Sequence, residues 1–161
     1  MSPDATAYVL HEGGAELRWM NDTFTYFLAT GESTGGEFTL VDETARRGES
    51  VPLHRHPDDV ESFYVLEGEI SFFIGDAPPV MGRAGTFVHV PRGAVHGFRI
   101  ESPEARYLIL TTPRHGDFYR AISQPAGPDG ERPQAGVEGD QIERACREYG
   151  IEFVGPLTGS S

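Results

Sequence analysis

Short β-type segments alternate with turn residues over the first two thirds of the chain, and this alternation limits the folds that are open to it. Groups of Gly, Pro and Asp, for example at residues 75–79, mark the turns. The candidate strands span residues 24–29, 36–42, 62–66, 69–74, 86–90, 97–100 and 106–111. This pattern is typical of an all-β sandwich or barrel built from hairpins.

The C-terminal third of the chain has a different pattern. Apolar residues at helical spacing predict a short helix near residues 118–122. Seven of the fifteen residues in the segment 125–139 are Pro or Gly, which predicts a mobile loop. Asp140 and Glu143 form a candidate capping pair for an amphipathic helix over residues 140–149. We expect this last helix to pack on the barrel.

Length and charge restrict the partners of the chain. A chain of 161 residues corresponds to about one domain, so we predict a single domain over residues 1–161, with a frayed end at 158–161. The formal net charge of −12 repels nucleic-acid phosphates and anionic membrane surfaces. Residues 1–7 lack the features of a secretory signal, and no apolar run approaches the ~20 residues that span a bilayer. We therefore expect a soluble cytoplasmic protein without nucleic-acid or membrane partners.

Three histidines and one glutamate have the spacing of a metal site. His54 and His56 lie two residues apart, so on a strand both side chains leave the same face with Cα atoms roughly 6.6 Å apart. The turn at residues 57–59 brings Glu61 back beside them. His96 follows a second turn and needs only the closure of the barrel to join this group. The four side chains are candidate metal ligands.

Other titratable residues are weaker candidates. Asp58 and Asp59 can in principle replace Glu61, but their place in a turn favours solvated positions. Glu67 lies six residues beyond Glu61, which is about 20 Å along a strand and too far for the same ion. The histidines without ligand spacing, which we leave out of the site, are His11, His89 and His115.

The segments 48–68 and 85–96 resemble the paired sequence motifs of the cupin superfamily. The positions of the first motif are filled by Gly48, His54, His56, Glu61 and Gly68. Those of the second are filled by Gly85, Pro91, Gly93 and His96. Nine of the ten motif positions match, and the tenth, normally Asn, is Ile100, a change that leaves the ligand positions intact.

The resemblance implies one cupin domain: a jelly-roll β-barrel over about residues 20–112, followed by an extension with short C-terminal helices over 113–161. It also implies one divalent transition metal ion inside the barrel, held by His54, His56, Glu61 and His96. These donors suit Fe, Mn, Ni, Co, Cu or Zn, and the affinity order alone does not select among them. By the same resemblance we expect a homodimer in which N-terminal strands or sheet edges pair.

Side-chain alternation along the strands predicts the wall of the pocket beside the metal ion. The residues with an expected inward direction are mostly aromatic or aliphatic, and they are Phe24, Tyr26, Phe38, Leu40, Phe63, Val65, Phe98 and Ile100. Such a pocket suits a ring-bearing or otherwise hydrophobic small molecule that offers the metal one or two oxygens.

Residues 37–75 and the segment 149–157 resemble the quercetinase-like group of single-domain cupins. In those enzymes a metal-held enol or flavonol loses a proton to the ligand glutamate and reacts with dioxygen. Carried over, Glu61 is both ligand and general base of a metal-dependent dioxygenase that acts on an aromatic or enolisable small molecule. Two alternatives stay open: a non-redox isomerase, cyclase or decarboxylase, and a non-catalytic small-molecule-binding cupin.

Overall fold

Two antiparallel β-sheets and two short helices make up the computed structural model, which describes residues 5–157. The end at 158–161 that we expect to be frayed lies outside the described residues. The strands are β1 (Glu16–Met20), β2 (Thr23–Ala29), β3 (Thr39–Arg46), β4 (Ser50–Arg55), β5 (Glu61–Glu67), β6 (Ile70–Ile74), β7 (Val80–Gly82), β8 (Phe87–Val90), β9 (His96–Ile100), β10 (Glu104–Thr111), β11 (Gln124–Pro125) and β12 (Glu152–Gly155). The helices are α1 (Pro113–Ala121) and α2 (Gly139–Glu148).

The two sheets face each other and enclose the main core. One sheet has the strand order β11-β1-β2-β3-β10-β5-β8, and the other has the order β12-β4-β9-β6-β7. The core between them draws on both sheets, for example Phe63 of β5 and Ile100 of β9. The prediction of an all-β fold is confirmed.

The seven strands predicted from the sequence are all present, with ends that differ by up to four residues. Strand β4 is predicted only through the spacing of His54 and His56, and β1, β7, β11 and β12 are not predicted. These four have five residues or fewer and lie at or next to the edge of a sheet. Such short strands depend on a neighbouring strand more than on their own sequence pattern.

The inner face of β2 carries Thr25 and Phe27, which makes the pocket prediction wrong for Phe24 and Tyr26. Thr25 and Phe27 are buried, whereas Phe24 and Tyr26 are only half-buried. Phe24 packs on the other face against Trp19 of β1, with ring centroids 4.9 Å apart. Both faces of β2 carry apolar side chains, so aromatic content alone does not identify the inner one.

On strand β3, as on β2, the inward-facing residues lie one position away from the predicted ones. Val41 and Ala45 belong to the buried core and have Glu43 between them, so these three positions form the inner face. Leu40 therefore lies on the opposite face, and Phe38 precedes the strand and is 39% exposed. The pocket prediction is wrong for these two residues for the reason that applies to β2.

The C-terminal helices pack against each other through a small cluster. Helix α1 begins after Thr112, whose hydroxyl accepts a hydrogen bond of 3.1 Å from the backbone N–H of His115. Helix α2 has no side-chain cap, so the predicted capping role of Asp140 and Glu143 is wrong. The buried members of the cluster are Phe118, Ala145, Cys146 and Ile151. Within residues 5–157, no helix has the length and apolar content needed to cross a membrane.

The Pro- and Gly-rich segment 125–139 has partners that the composition does not predict. Its first residues pair with β1 through β11, and the backbone N–H of Ala126 donates to the carbonyl of Leu17 at 3.0 Å. The indole N–H of Trp19 donates to the carbonyl of Gly130 at 3.1 Å. The prediction of a loop is therefore wrong at Pro125, which belongs to β11, and these hydrogen bonds attach the first half of the segment to β1.

Two glycines with similar backbone angles provide a test of close packing between strands. Gly68 has φ +86°, and a Cβ there would lie 2.4 Å from the carbonyl oxygen of Glu104. Gly48 has φ +90° with nothing near an added Cβ. We expect Gly48→Ala to lower the free energy of unfolding by about 1–2 kcal/mol through backbone strain. Gly68→Ala should cost a further 1–3 kcal/mol or so, because a strand must move.

Urea denaturation of both variants and the wild type measures this difference. Equal losses of unfolding free energy for the two substitutions would show that the approach of Glu104 to Gly68 does not constrain the barrel.

Candidate metal centre

Four buried side chains, three from strands and one from the turn after β4, converge between the two sheets. His54 lies near the end of β4, opposite His96 of β9, and His56 follows one residue after β4 ends. Glu61 begins β5 in the other sheet. One donor atom from each of His54, His56, Glu61 and His96 lies within 4.8 Å of the others. The structure thus brings together all four ligand candidates.

Backbone carbonyls fix the orientation of all three imidazoles. In each ring Nδ1 contacts a carbonyl oxygen, which can only accept, so Nδ1 carries the proton. The contacts are His54 to Pro52 at 2.8 Å, His56 to Asp59 at 2.9 Å and His96 to Ala94 at 3.0 Å. The Nε2 atoms are then free to bind a metal, which is the arrangement that metal-ligating histidines commonly have.

The carboxylate of Glu61 faces two of these Nε2 atoms. Its Oε2 lies 3.0 Å from Nε2 of His56 and 2.9 Å from Nε2 of His96. With Nδ1 protonated, each Nε2 points a lone pair at Glu61 Oε2. The lone pairs of nitrogen and oxygen repel each other unless a proton or a cation lies between them. A divalent transition metal satisfies nitrogen and carboxylate donors together, so the residues present fit the ion that the resemblance implies.

The electrostatics of the site favour a neutral His54 and an ionised Glu61, the protonation states that these two side chains need as metal ligands. Burial and the neighbouring His96 lower the pKa of His54 to about 4, so its ring is neutral at pH 7. Burial alone would raise the pKa of Glu61, but the imidazoles of His115, His56 and His96 hold it well below its usual range. The carboxylate is therefore ionised and carries the negative charge of the site.

Two side chains of α1 that are not among the predicted site residues contact the second oxygen of Glu61. The hydroxyl of Tyr119 donates a hydrogen bond to Glu61 Oε1, and Nε2 of His115 lies 3.7 Å from the same atom. Burial and the charge of Glu61 hold the pKa of Tyr119 well above its usual range, so the phenol stays protonated. His115 and Tyr119 are four residues apart on a helix, a spacing that places them on one face and is the signal that identifies the pair.

Asp59 is buried, contrary to the prediction of a solvated turn position. Its side chain is 2% exposed, and Oδ1 accepts a hydrogen bond of 2.5 Å from the hydroxyl of Thr112. Oδ2 lies 4.0 Å from Nδ1 of His115, and neither atom has a hydrogen-bond partner among the described residues. Asp58, by contrast, is exposed as predicted. Asp59 thus connects the metal-site loop to the start of α1.

A cavity of about 300 Å³ is bordered by His54 and Glu61, two of the four donors. Of the eight predicted pocket residues only Phe98 lines it, while Phe63, Val65 and Ile100 are buried in the core. Strand β10, the C-terminal helices and β12 supply much of the wall instead. These apolar and aromatic wall residues include Tyr107, Ile109, Phe118, Tyr119, Ile122, Ile142 and Phe153. The cavity is mainly apolar, as predicted, but most of its predicted lining is wrong.

Known proteins resemble the chain in sequence. Residues 42–112 match a family model described as Cupin domain. Over 125 residues the chain is 29% identical to a quercetin 2,3-dioxygenase of Bacillus subtilis (strain 168). This match covers 76% of the chain and 37% of the relative, so the chain spans little more than a third of that enzyme.

Solved structures share the fold at lower sequence identity. The polyketide cyclase RemF from Streptomyces resistomycificus has a TM-score of 0.60 and 21% identity, over 67% of this chain and 80% of the cyclase. KdgF from Halomonas sp. has a TM-score of 0.62 and 17% identity, over 70% of this chain and 98% of KdgF. A predicted oxalate decarboxylase from Thermotoga maritima has a TM-score of 0.58 and 20% identity, over 65% of this chain and 98% of the decarboxylase. These likenesses agree with a jelly-roll barrel.

We expect the purified protein to retain about one transition metal ion per chain, because four suitable donors converge. The double variant His54→Ala, His56→Ala should lose the ion, since two donors rarely hold it. His89→Ala, which removes an exposed histidine outside the site, is the matched control and should keep it. Elemental analysis after dialysis measures the stoichiometry, and an unchanged metal content in the double variant would contradict the assignment.

Removal of the Tyr119 hydroxyl should weaken metal binding by about tenfold, because Glu61 loses a hydrogen bond that orients it. Tyr119→Phe tests this, and Tyr149→Phe removes a hydroxyl from the neighbouring helical cluster as the control. Calorimetric titration of metal-depleted protein with Co²⁺ gives both affinities. Identical affinities in the two variants would mean that Tyr119 does not support the carboxylate.

Proposed function

Since residues 42–112 match the cupin-domain family model, we propose that this protein is a metal-dependent enzyme that acts on an aromatic or enolisable small molecule with dioxygen as second reactant. The observation that carries the proposal is that the two carboxylate oxygens of Glu61 have different neighbours. One of its oxygens faces the Nε2 atoms of His56 and His96, and the other faces Tyr119. A divalent metal held by the four donors would supply Lewis-acid activation of a bound enol oxygen and, if redox-active, electron transfer with dioxygen.

The surroundings of Glu61 support a role in proton transfer. Its carboxylate is ionised, borders the cavity and has one oxygen that faces Tyr119 instead of His56 and His96. A general base has to lie within hydrogen-bond distance of the proton that it removes, and a substrate oxygen beside the donors meets this condition. The nearby phenol of Tyr119 can donate its hydrogen bond to the carboxylate or to a substrate oxygen.

The wall of the cavity favours a flat, mainly apolar substrate. Phe98, Ile109 and Phe118 border the space beside the donors, and aromatic rings at such positions stack well on planar molecules. Exclusion of water by these side chains also strengthens the electrostatic interactions of the site. A molecule with an enol or hydroxyl oxygen at one end of an apolar body fits both features.

The use of dioxygen is supported by the sequence likeness to the Bacillus quercetin 2,3-dioxygenase. Because this chain corresponds to only part of that enzyme, its substrate and reaction are part of our proposal.

A non-redox reaction of an enolisable substrate is the second candidate. Tyr119, which stays protonated beside an ionised Glu61, forms an acid and base pair of the kind that isomerisation, cyclisation or decarboxylation through an enolate requires. The same donors and cavity would serve it, and oxygen would not be consumed.

Glu61→Gln should bind metal more weakly and lose turnover by about 100-fold or more beyond the loss of metal, because an amide does not act as a base. Glu67→Gln, at a side chain that is 70% exposed, is the matched control and should behave as the wild type. Quercetin is a suitable test substrate, and rates are normalised to the metal content of each variant.

An oxygen electrode separates the candidate functions. Oxygen uptake that matches product formation supports the dioxygenase, and product that forms equally well without oxygen supports the non-redox enzyme. Binding of quercetin and other enols without any product would contradict an enzymatic role and leave a small-molecule-binding protein. A metal-normalised rate for Glu61→Gln equal to that of the wild type would exclude Glu61 as the base.

A further inference from the structure

A second carboxylate borders the cavity away from the metal centre. Glu43 lies on the inner face of β3 between Val41 and Ala45, which are 0% and 1% exposed. Glu43 itself is only half-buried, because it lines the cavity. A charged side chain among buried apolar neighbours is costly unless it has partners, so its presence on this face requires an explanation.

Glu43 has polar neighbours on the strands at either side. Thr25 of β2 and Tyr107 of β10 are its direct cross-strand partners. The hydroxyl of Thr25 donates a hydrogen bond of 3.2 Å to Glu43 Oε1. We call these three residues the Glu43 patch. A carboxylate has about four acceptor positions, and its two hydroxyl neighbours can fill only two, so acceptor capacity is left toward the cavity.

The Glu43 patch and the metal centre lie at different levels of one cavity. Along β10, Tyr107 is opposite Glu43, and Thr111 is opposite Glu61. Four residues of a strand separate these two levels by about 13 Å of backbone. Glu43 and Glu61 both line the cavity, and the inner face of β10 places Ile109 between the two levels. The cavity therefore has a polar end, an apolar middle and a second polar end with the metal ligands.

We propose that the Glu43 patch binds a hydroxyl group at the end of the substrate that is remote from the metal centre. The substrate class is then an elongated, multi-ring phenolic molecule with a metal-binding enol at one end and a hydrogen-bond donor at the other. This inference rests on the proposed function, because that function assigns the enol end to the metal centre. A hydroxyl of such a molecule donates to Glu43, while its rings contact Ile109 and Phe98.

The ionisation of Glu43 agrees with this role. Burial raises the pKa of Glu43 to about 7, against the opposing effects of Tyr107 and Thr25, and the charges of Glu61 and Asp42 contribute to the increase. A carboxyl group with such a pKa gains from a donor that approaches from the cavity, since the hydrogen bond stabilises its charged form. A phenolic hydroxyl provides that donor.

The test compares flavonols that differ only in a remote hydroxyl. The probes are 3-hydroxyflavone, which has the metal-binding pair of oxygens alone, and 3,7- and 3,4′-dihydroxyflavone, which carry one more hydroxyl at opposite ends. Affinities are measured by anaerobic titration of the metal-containing protein. A hydrogen bond to a charged group leads us to expect about tenfold tighter binding of at least one dihydroxyflavone by the wild type.

Glu43→Gln and Tyr107→Phe should each reduce the preference for a dihydroxyflavone over 3-hydroxyflavone severalfold. Two variants are used so that the test still works if one of them does not fold. Asp42→Asn is the matched control, because Asp42 lies on the opposite face of β3 in an ion pair with Arg106 at 2.7 Å. It should keep the wild-type preference. A wild type without preference, or a preference that survives in both patch variants, would overturn the role of the Glu43 patch.

Turnover of 3-hydroxyflavone distinguishes a failure of the Glu43 patch from a failure of the proposed function. Turnover by the wild type without any preference for a remote hydroxyl would defeat the Glu43 patch alone. A preference that depends on Glu43 without turnover of any of the three compounds would support the patch and count against the enzymatic proposal. Absence of binding for all three compounds would overturn both.

Discussion

The site depends on the hydrogen bonds that the Nδ1–H groups of three imidazoles donate to backbone carbonyls. They select one tautomer of His54, His56 and His96, and the Nε2 atoms of His56 and His96 then face Glu61. The carbonyls belong to residues that precede or follow the histidines by two or three positions, so the local backbone path sets the ring orientation. A barrel whose strands shift in register would lose this arrangement, because β4, β5 and β9 each supply part of it.

The C-terminal extension completes the site that the barrel begins. The hydrogen bond from Thr112 to Asp59 joins the start of α1 to the turn between β4 and β5. Helix α1 then carries His115 and Tyr119 to the oxygen of Glu61 that faces away from the other imidazoles. Much of the apolar wall of the cavity comes from the helices and β12 of the same extension. The barrel supplies the four candidate ligands, and the extension supplies the hydrogen-bond donor to Glu61 and part of the enclosure.

The metal-ligand candidates were open to prediction because the signal is local. Two residues along a strand return a side chain to the same face, and a short turn brings Glu61 beside His54 and His56, so spacing alone indicates the group. His96 is distant in sequence, yet its motif of turn residues marks its place. The all-β fold was equally accessible, since strands and turns alternate at short intervals. The spacing of apolar residues also predicts the amphipathic C-terminal helix, but it does not predict how the helix is capped.

The amino-acid sequence by itself determined the fold class and which residues form the candidate metal centre. Only the tertiary structure decided which face of β2 and β3 is inward, and so placed Glu43 in the cavity and Phe24 outside it. A strand with apolar side chains on both faces has no internal signal for this choice, because a shift of one residue exchanges the faces. His115 and Tyr119 reach Glu61 through the packing of a helix some 55 residues away in sequence. Such contacts depend on how the extension folds back on the barrel, which no local spacing encodes.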